Sequence, residues 1–131
     1  MHLVMDGYGG SPQKLQDEAL VHQFLNEYPA AINMTKISEP FVYRYTTGAR
    51  PEDWGVSGFV LIAESHISIH TFPERGYVNV DIFSCKEFDA DAALQELRGR
   101  FGLESVKTWV LERGLEQFAD QPVPVSGFRP R

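Results

Sequence analysis

The sequence has few of the features that would link it to an oxidising compartment, a nucleic acid or a membrane. Its 131 residues include one cysteine, Cys85, which excludes an internal disulfide and favours a reducing cytoplasm. It has no run of Lys and Arg, and its net charge of −6 argues against a phosphate-binding surface. No apolar run is long enough to span a bilayer, and residues 1–10 do not resemble a signal peptide. We therefore expect one cytoplasmic domain, with no nucleic-acid or membrane partner, that binds a small molecule.

The apolar pattern predicts two helices. Ser11 followed by Pro12 is typical of a helix start. Apolar residues at positions 21, 24, 25 and 28 give this first helix one buried face, and Pro29 is expected to end it. The second helix is predicted to begin after Asp89 and to stop at Gly102.

Six strands are predicted, at residues 2–5, 34–45, 56–62, 66–71, 77–84 and 105–111. The links between the middle strands are short, which indicates antiparallel pairing. The expected fold class is α+β: a two-layer α/β sandwich with a mostly antiparallel sheet and two helices on one face. The other face then needs cover, which a homodimer would supply. Residues 121–130 contain too many prolines for regular structure to be expected.

The strand at residues 66–71 is unusual because its polar side carries imidazoles. His66, Ser68 and His70 alternate with apolar residues, where a solvated strand would more ordinarily carry Lys, Thr or Glu. On the next strand Asp81 and Cys85 share one side with residues 79 and 83. If the two polar sides coincide, an imidazole and a thiol meet, and such a pair can supply a nucleophile or a proton donor. The ordinary alternatives are half-exposed histidines and a small buried cysteine.

Two other chemistries fit the residues less well. His66 and His70 lie roughly 13 Å apart on a straight strand, too far to share a metal ion, so no metal site is expected. A Ser-His-Asp hydrolase would have Ser57, His70 and Asp81 available, but the chain has no G-x-S-x-G motif.

The segment "GVSGFVLIAESHISIHTFPERGYVNVDIFSC", residues 55–85, strongly resembles the core of the prokaryotic S-adenosylmethionine decarboxylases, which are pyruvoyl enzymes of polyamine biosynthesis. Residues 2–10 and the C-terminal helix and strand also resemble this family. The resemblance implies that the chain cuts itself between Glu64 and Ser65, giving a β chain of residues 1–64 and an α chain of residues 65–131. Ser65 would become a covalent pyruvoyl group that binds substrate as a Schiff base, without pyridoxal phosphate.

The resemblance also implies roles for other residues. His70 matches the base of self-processing, and Ser57 matches a hydroxyl that assists the same step. Cys85 matches the acid that returns a proton to the substrate carbon. Glu74 matches the carboxylate that binds the ribose hydroxyls. Because Ser65 and His70 are five residues apart, they point to opposite faces of a straight strand, so we expect a bend near residues 64–65.

The chain departs from the family in ways that affect the substrate. The loop at residues 46–55 is longer than usual and acidic, and Tyr45 or Trp54 would have to supply the ring that stacks on adenine. Residues 72 and 75 are Phe and Arg where Trp and Tyr are common. S-adenosylmethionine is the leading substrate. Ornithine or arginine is the alternative, with Glu52 and Asp53 as candidates to bind the distal cation or as solvated loop charges. A rival of another class is an unprocessed, non-catalytic ligand-binding or partner subunit.

Overall fold

The computed structural model describes residues 1–113 and 129–130 as one open sheet with helices on one face. The strands are β1 His2–Tyr8, β2 Phe41–Tyr45, β3 Gly55–Ile62, β4 Ser65–Phe72, β5 Tyr77–Ser84, β6 Ser105–Leu111 and β7 Arg129–Pro130. They pair antiparallel in the order β2-β3-β4-β5-β1-β6-β7. The helices are α1 Pro12–Leu15, α2 Glu18–Ala31 and α3 Ala90–Phe101, with a 3-10 turn at Pro73–Arg75.

The core lies between the sheet and helices α2 and α3. Alternate residues of β4 and β5 are fully or almost fully buried, because a strand points successive side chains to opposite faces. Phe24 of α2 meets Phe101 of α3 edge to face, and both are buried. The predicted α+β sandwich is therefore confirmed, with both long helices on the same face.

The first predicted helix is two helices. Ser11 caps α1 through the N–H of Lys14, and Asp17 caps α2 through the N–H of Leu20. The prediction that Pro29 ends the helix is wrong, since α2 continues to residue 31. Pro29 lies in the last turn, where its missing N–H costs the helix a single hydrogen bond. The second helix has its predicted limits, with Asp89 as cap and a left-handed glycine at position 102.

The strand predicted at residues 34–45 is also shorter than expected. Only Phe41–Tyr45 forms β2, and the segment before it makes a single bridge, Lys36 to Ile62. Pro40 has no N–H to donate to a ladder, which explains the late start. The expectation of no regular structure in residues 121–130 is wrong for β7, which pairs with β6. The remainder of that stretch lies outside the described residues.

The second face of the sheet is open in the part of the chain that the structure describes. Several large apolar side chains on this face are exposed, namely Tyr8, Phe41, Tyr43, Phe59 and Leu61. The polar sides of β4 and β5 lie on this face too, where Ser68 is opposite Asp81. Within residues 1–113 and 129–130, no helix is both long and apolar enough to cross a membrane.

Candidate active site

A serine and a histidine form a hydrogen-bonded pair on the open face. The register of β3 and β4 sets Ser57 opposite His70. The Ser57 Oγ lies 2.8 Å from the His70 Nδ1. An imidazole within hydrogen-bond distance of a hydroxyl can take or give a proton near neutral pH.

This pair does not extend to the triad of a hydrolase. The Asp81 carboxylate lies 3.2 Å from the Nε2 of His2. The residue opposite His70 on β5 is Asn79, not Asp81. A triad requires a carboxylate that orients the base, and the described geometry engages Asp81 elsewhere.

The peptide between Glu64 and Ser65 joins a two-residue turn to a serine with a strained backbone. Ile62 of β3 pairs with Ser65 of β4, so residues 63 and 64 alone make the turn. Ser65 has a φ of 154°, a region that residues with a side chain rarely adopt. The bend expected at residues 64–65 is therefore present. The carbonyl oxygen of this same peptide, that of Glu64, accepts a hydrogen bond from the N–H of Cys85 at 2.9 Å.

The side chain of Glu64 is buried and charged. Its Oε1 accepts a hydrogen bond from the N–H of Thr35 at 3.0 Å, and its Oε2 lies 3.4 Å from the Nζ of Lys86. The N–H of Thr35 is the main cause of a lowered pKa for this carboxyl, and Lys86 lowers it further. Sequence reasoning missed both partners, Thr35 and Lys86. Both are distant from Glu64 in the chain, Thr35 by 29 residues, and neither lies on a recognisable motif.

The candidate residues fall into two groups at opposite ends of β4. Ser65 and Cys85 lie at one end, and Ser57 and His70 lie at the other. Five residues of strand separate Ser65 from His70, roughly 17 Å at the rise of a β-strand. The polar sides of β4 and β5 coincide as expected, but a single chain does not bring the thiol to His70.

Glu74 lies beyond the His70 end of β4. Its Oε1 accepts a hydrogen bond from the indole N–H of Trp54 at 3.1 Å. The guanidinium of Arg44 covers the Trp54 ring at 5.0 Å from its centre. Tyr45 lies at the same end, since it pairs with Gly55, and burial together with Asp53 raises its pKa.

Two departures from the family pattern contact each other. Arg75 donates to Asp53 at 2.7 Å from Nη2 and 2.9 Å from Nε, and its Nη2 lies 3.4 Å from Glu52. The single positive charge of Arg75 therefore offsets part of the negative charge of Glu52 and Asp53. Both candidate ligands for a cationic substrate are already paired.

Among residues 1–113 and 129–130, no three His, Cys, Asp or Glu side chains are grouped to hold a metal ion. The reactive groups are instead a strained serine peptide, a thiol and a hydroxyl–imidazole pair. These groups lie on an open antiparallel sheet of the α+β class.

Comparison with known proteins identifies the family. A family model described as S-adenosylmethionine decarboxylase matches residues 1–114. The chain belongs to the S-adenosylmethionine decarboxylase family, whose members are pyruvoyl-dependent carboxy-lyases that derive the pyruvoyl group from a serine by self-cleavage.

Relatives from archaea and bacteria carry the same name. The S-adenosylmethionine decarboxylase proenzyme of Archaeoglobus fulgidus is 36% identical over 114 residues, covering 86% of this chain and 96% of the relative. That of Acidithiobacillus ferrooxidans is 34% identical over 113 residues, covering 86% and 80%. The crystal structure of adenosylmethionine decarboxylase from Aquifex aeolicus superposes with a TM-score of 0.72 at 28% identity, covering 94% of this chain and 95% of that one. The family and fold indicated by the sequence are thus confirmed.

Proposed function

We propose that this chain is a self-processing proenzyme that decarboxylates S-adenosylmethionine after cutting itself between Glu64 and Ser65. The products are a β chain of residues 1–64 and an α chain of residues 65–131, both parts of a single domain. The observation that carries the proposal is the strained Ser65, whose preceding carbonyl is bound by the N–H of Cys85. The relatives' name, proenzyme, supports it.

Self-cleavage uses the chain's own atoms. The Ser65 hydroxyl attacks the Glu64 carbonyl, a C–O bond forms, and the peptide C–N bond breaks to leave an ester and a free amine. The Cys85 N–H favours this step because it stabilises the negative charge that develops on the carbonyl oxygen. A base then removes the α-proton of Ser65, and the Cβ–Oγ bond breaks to release the Glu64 carboxylate. Water converts the resulting dehydroalanine to a pyruvoyl group with loss of ammonia.

Each remaining residue has one task. His70, hydrogen-bonded to Ser57, is the base for the α-proton. The pyruvoyl ketone supplies an electron sink for decarboxylation once it binds the substrate amine. Cys85 then gives its thiol proton to the carbon that lost carbon dioxide. A reducing cytoplasm would keep this thiol available.

The separation within β4 supports an active site that is shared between two protomers. Ser65 and His70 lie roughly 17 Å apart along one strand, so they cannot act on each other within a chain. In a homodimer whose open faces meet, a two-fold axis across the strands places the Ser65 end of one protomer over the His70 end of the other. The exposed aromatic side chains Phe41, Tyr43 and Phe59 on this face support such a contact.

The contacts of the acidic loop favour S-adenosylmethionine over ornithine or arginine. Glu52 and Asp53 are paired with Arg75, so a distal cation would have to compete with this guanidinium. Glu74 is exposed and offers a carboxylate to the ribose hydroxyls, next to the Trp54 ring. Tyr45 at the same strand end is the second candidate to stack on adenine.

Mass spectrometry and one activity assay test the function. Denatured protein should give two masses, residues 1–64 and residues 65–131 with a blocked N-terminus. Purified protein should release labelled carbon dioxide from carboxyl-labelled S-adenosylmethionine, and much less from ornithine or arginine. An intact chain after long incubation would instead indicate the non-catalytic ligand-binding or partner subunit. Release from ornithine or arginine alone would replace the leading substrate.

A further inference from the structure

The Glu64 carboxylate is buried and held by two partners, next to the peptide that we propose is cut. Only 7% of the residue is exposed, although it carries a charge. The N–H of Thr35 and the ammonium of Lys86 each bind one of its oxygens. The N–H of Thr35 is the main cause of its lowered pKa, which favours the ionised form.

The segment that presents Thr35 is itself fixed to the hairpin formed by β3 and β4. The carbonyl of Thr35 accepts from the N–H of Ala63 at 2.8 Å, and the N–H of Ile37 donates to Leu61 at 3.0 Å. Thr35 therefore contacts the turn twice, through its carbonyl to Ala63 and through its N–H to the Glu64 side chain. Met34 adds a contact to Ser84 at the end of β5.

The end of β5 holds the turn from the other side. Cys85 binds the Glu64 carbonyl through its N–H, and Lys86, the next residue, binds the Glu64 side chain. Two consecutive residues therefore hold Glu64, Cys85 through its backbone and Lys86 through its side chain. A strained φ like that of Ser65 persists only where surrounding contacts over-determine it.

We infer that the Glu64 carboxylate is a positioning residue for self-cleavage, and that Thr35 and Lys86 are its anchors. It holds the Glu64 carbonyl against the Cys85 N–H and keeps Ser65 in its strained conformation, ready for the attack that forms the ester. This role rests on the proposed self-cleavage and concerns its first step only. The reacting atoms remain those of Ser65 and the Glu64 carbonyl.

Substitutions on either side of the contact between Glu64 and Lys86 test this role. Lys86→Met removes the ammonium, and Glu64→Gln removes the charge while keeping an oxygen for the N–H of Thr35. Each should slow self-cleavage roughly 10- to 100-fold, the loss expected when reacting groups are misplaced by about 1 Å. The double variant should be no slower than either single one, because both disrupt the same contact. Lys86→Arg should restore most of the rate.

A matched control distinguishes loss of the contact between Lys86 and Glu64 from a general effect of replacing a lysine by methionine. Lys36 lies on the same segment as Thr35 but contacts Asn26 and Glu39, not Glu64. Lys36→Met should cleave at the unaltered rate. The melting temperature of each chain, in a Ser65→Ala background that cannot cut, reports any loss of stability separately from the rate.

Hydroxylamine identifies the step that is slowed, because it cleaves esters and leaves amides intact. The Lys86→Met chain should accumulate no ester, so hydroxylamine should release no fragments from it. A His70→Ala chain, blocked at the later proton removal, should accumulate ester and be cut. An ester in Lys86→Met, or cleavage at the unaltered rate, would overturn the positioning role. An unaltered chain that never cuts itself would refute the proposed function instead.

Discussion

Cys85 acts at the scale of a single residue through two different atoms. Its backbone N–H contacts the Glu64 carbonyl, whereas its thiol is the proposed proton donor. A side-chain substitution removes the thiol and leaves the N–H in place. The two roles, self-cleavage and turnover, can therefore be separated experimentally at this one position.

We expect the Cys85→Ala chain to cut itself but to decarboxylate slowly. A general acid typically contributes about 10²–10⁴-fold, so turnover per cleaved chain should fall by that order. Cleavage is measured by intact mass and turnover by release of labelled carbon dioxide. Cys85→Ser is the size-matched control, and it should also be slow because a hydroxyl is a much weaker acid than a thiol. Normal turnover by fully cleaved Cys85→Ala would exclude the thiol as donor.

At the scale of elements, one buried hydroxyl joins the β3–β4 hairpin to α1. The Thr71 Oγ1 accepts from the N–H of Val56 at 3.0 Å and donates to the carbonyl of Leu15 at 2.7 Å. Thr71 is fully buried, so no water can replace these partners. The contact fixes the strand end near Ser57 and His70 relative to the helical layer.

Thr71→Val should destabilise the fold while preserving its shape. Valine fills the same volume but leaves a buried N–H and a buried carbonyl unpaired, a loss of about 1–3 kcal/mol in the free energy of unfolding. Denaturant unfolding in a Ser65→Ala background measures this on a uniform, uncut chain. Thr46→Val, at an exposed loop position, is the control and should change little. A loss as small as that of the control would show that the two hydrogen bonds contribute nothing.

At the scale of the whole molecule, the proposed sharing of the active site between two protomers leads to a prediction about mixed dimers. Ser65→Ala and His70→Ala chains should each remain uncut when expressed alone. In a purified mixed dimer, the intact Ser65 of the His70→Ala chain faces the intact His70 of its partner. That chain should therefore be cut, and the Ser65→Ala chain should not. Mass spectrometry of differently tagged chains measures this.

A second mixed dimer, with both substitutions on one chain, provides the control. A chain without substitutions paired with a Ser65→Ala, His70→Ala double variant has both groups, but on the same protomer. A shared site predicts that this dimer stays uncut, and a site within one chain predicts cleavage. Cleavage here, with none in the first mixture, would refute the shared site.

Local pattern determined much of this protein. The limits of β5, α3 and β6, the cap at Asp89 and the left-handed Gly102 follow from period-two alternation, helical spacing and capping chemistry. These signals act over a few residues and can be seen in the chain itself. The block around Glu64 and Ser65 indicated the family, and the comparisons confirmed it.

Predictions from local sequence pattern were wrong or absent where a distant residue or a missing N–H donor determined the limits of an element or a contact. Asp17 starts a new helix that continues past Pro29, and Pro40 delays β2, both against the expected limits. The contacts of Arg75 with the acidic loop had no sequence signal, since 22 residues separate it from Asp53.

The candidate site depends most on tertiary structure. The register of β3 and β4 pairs Ser57 with His70, and the end of β5 carries Cys85 to Glu64. The sequence by itself determined which reactive residue types the chain carries and the alternation of the strands that hold them. Strand pairing alone decided which of these residues meet, and it keeps Ser65 apart from His70 within one chain. The reason is that register depends on contacts between residues far apart in the chain.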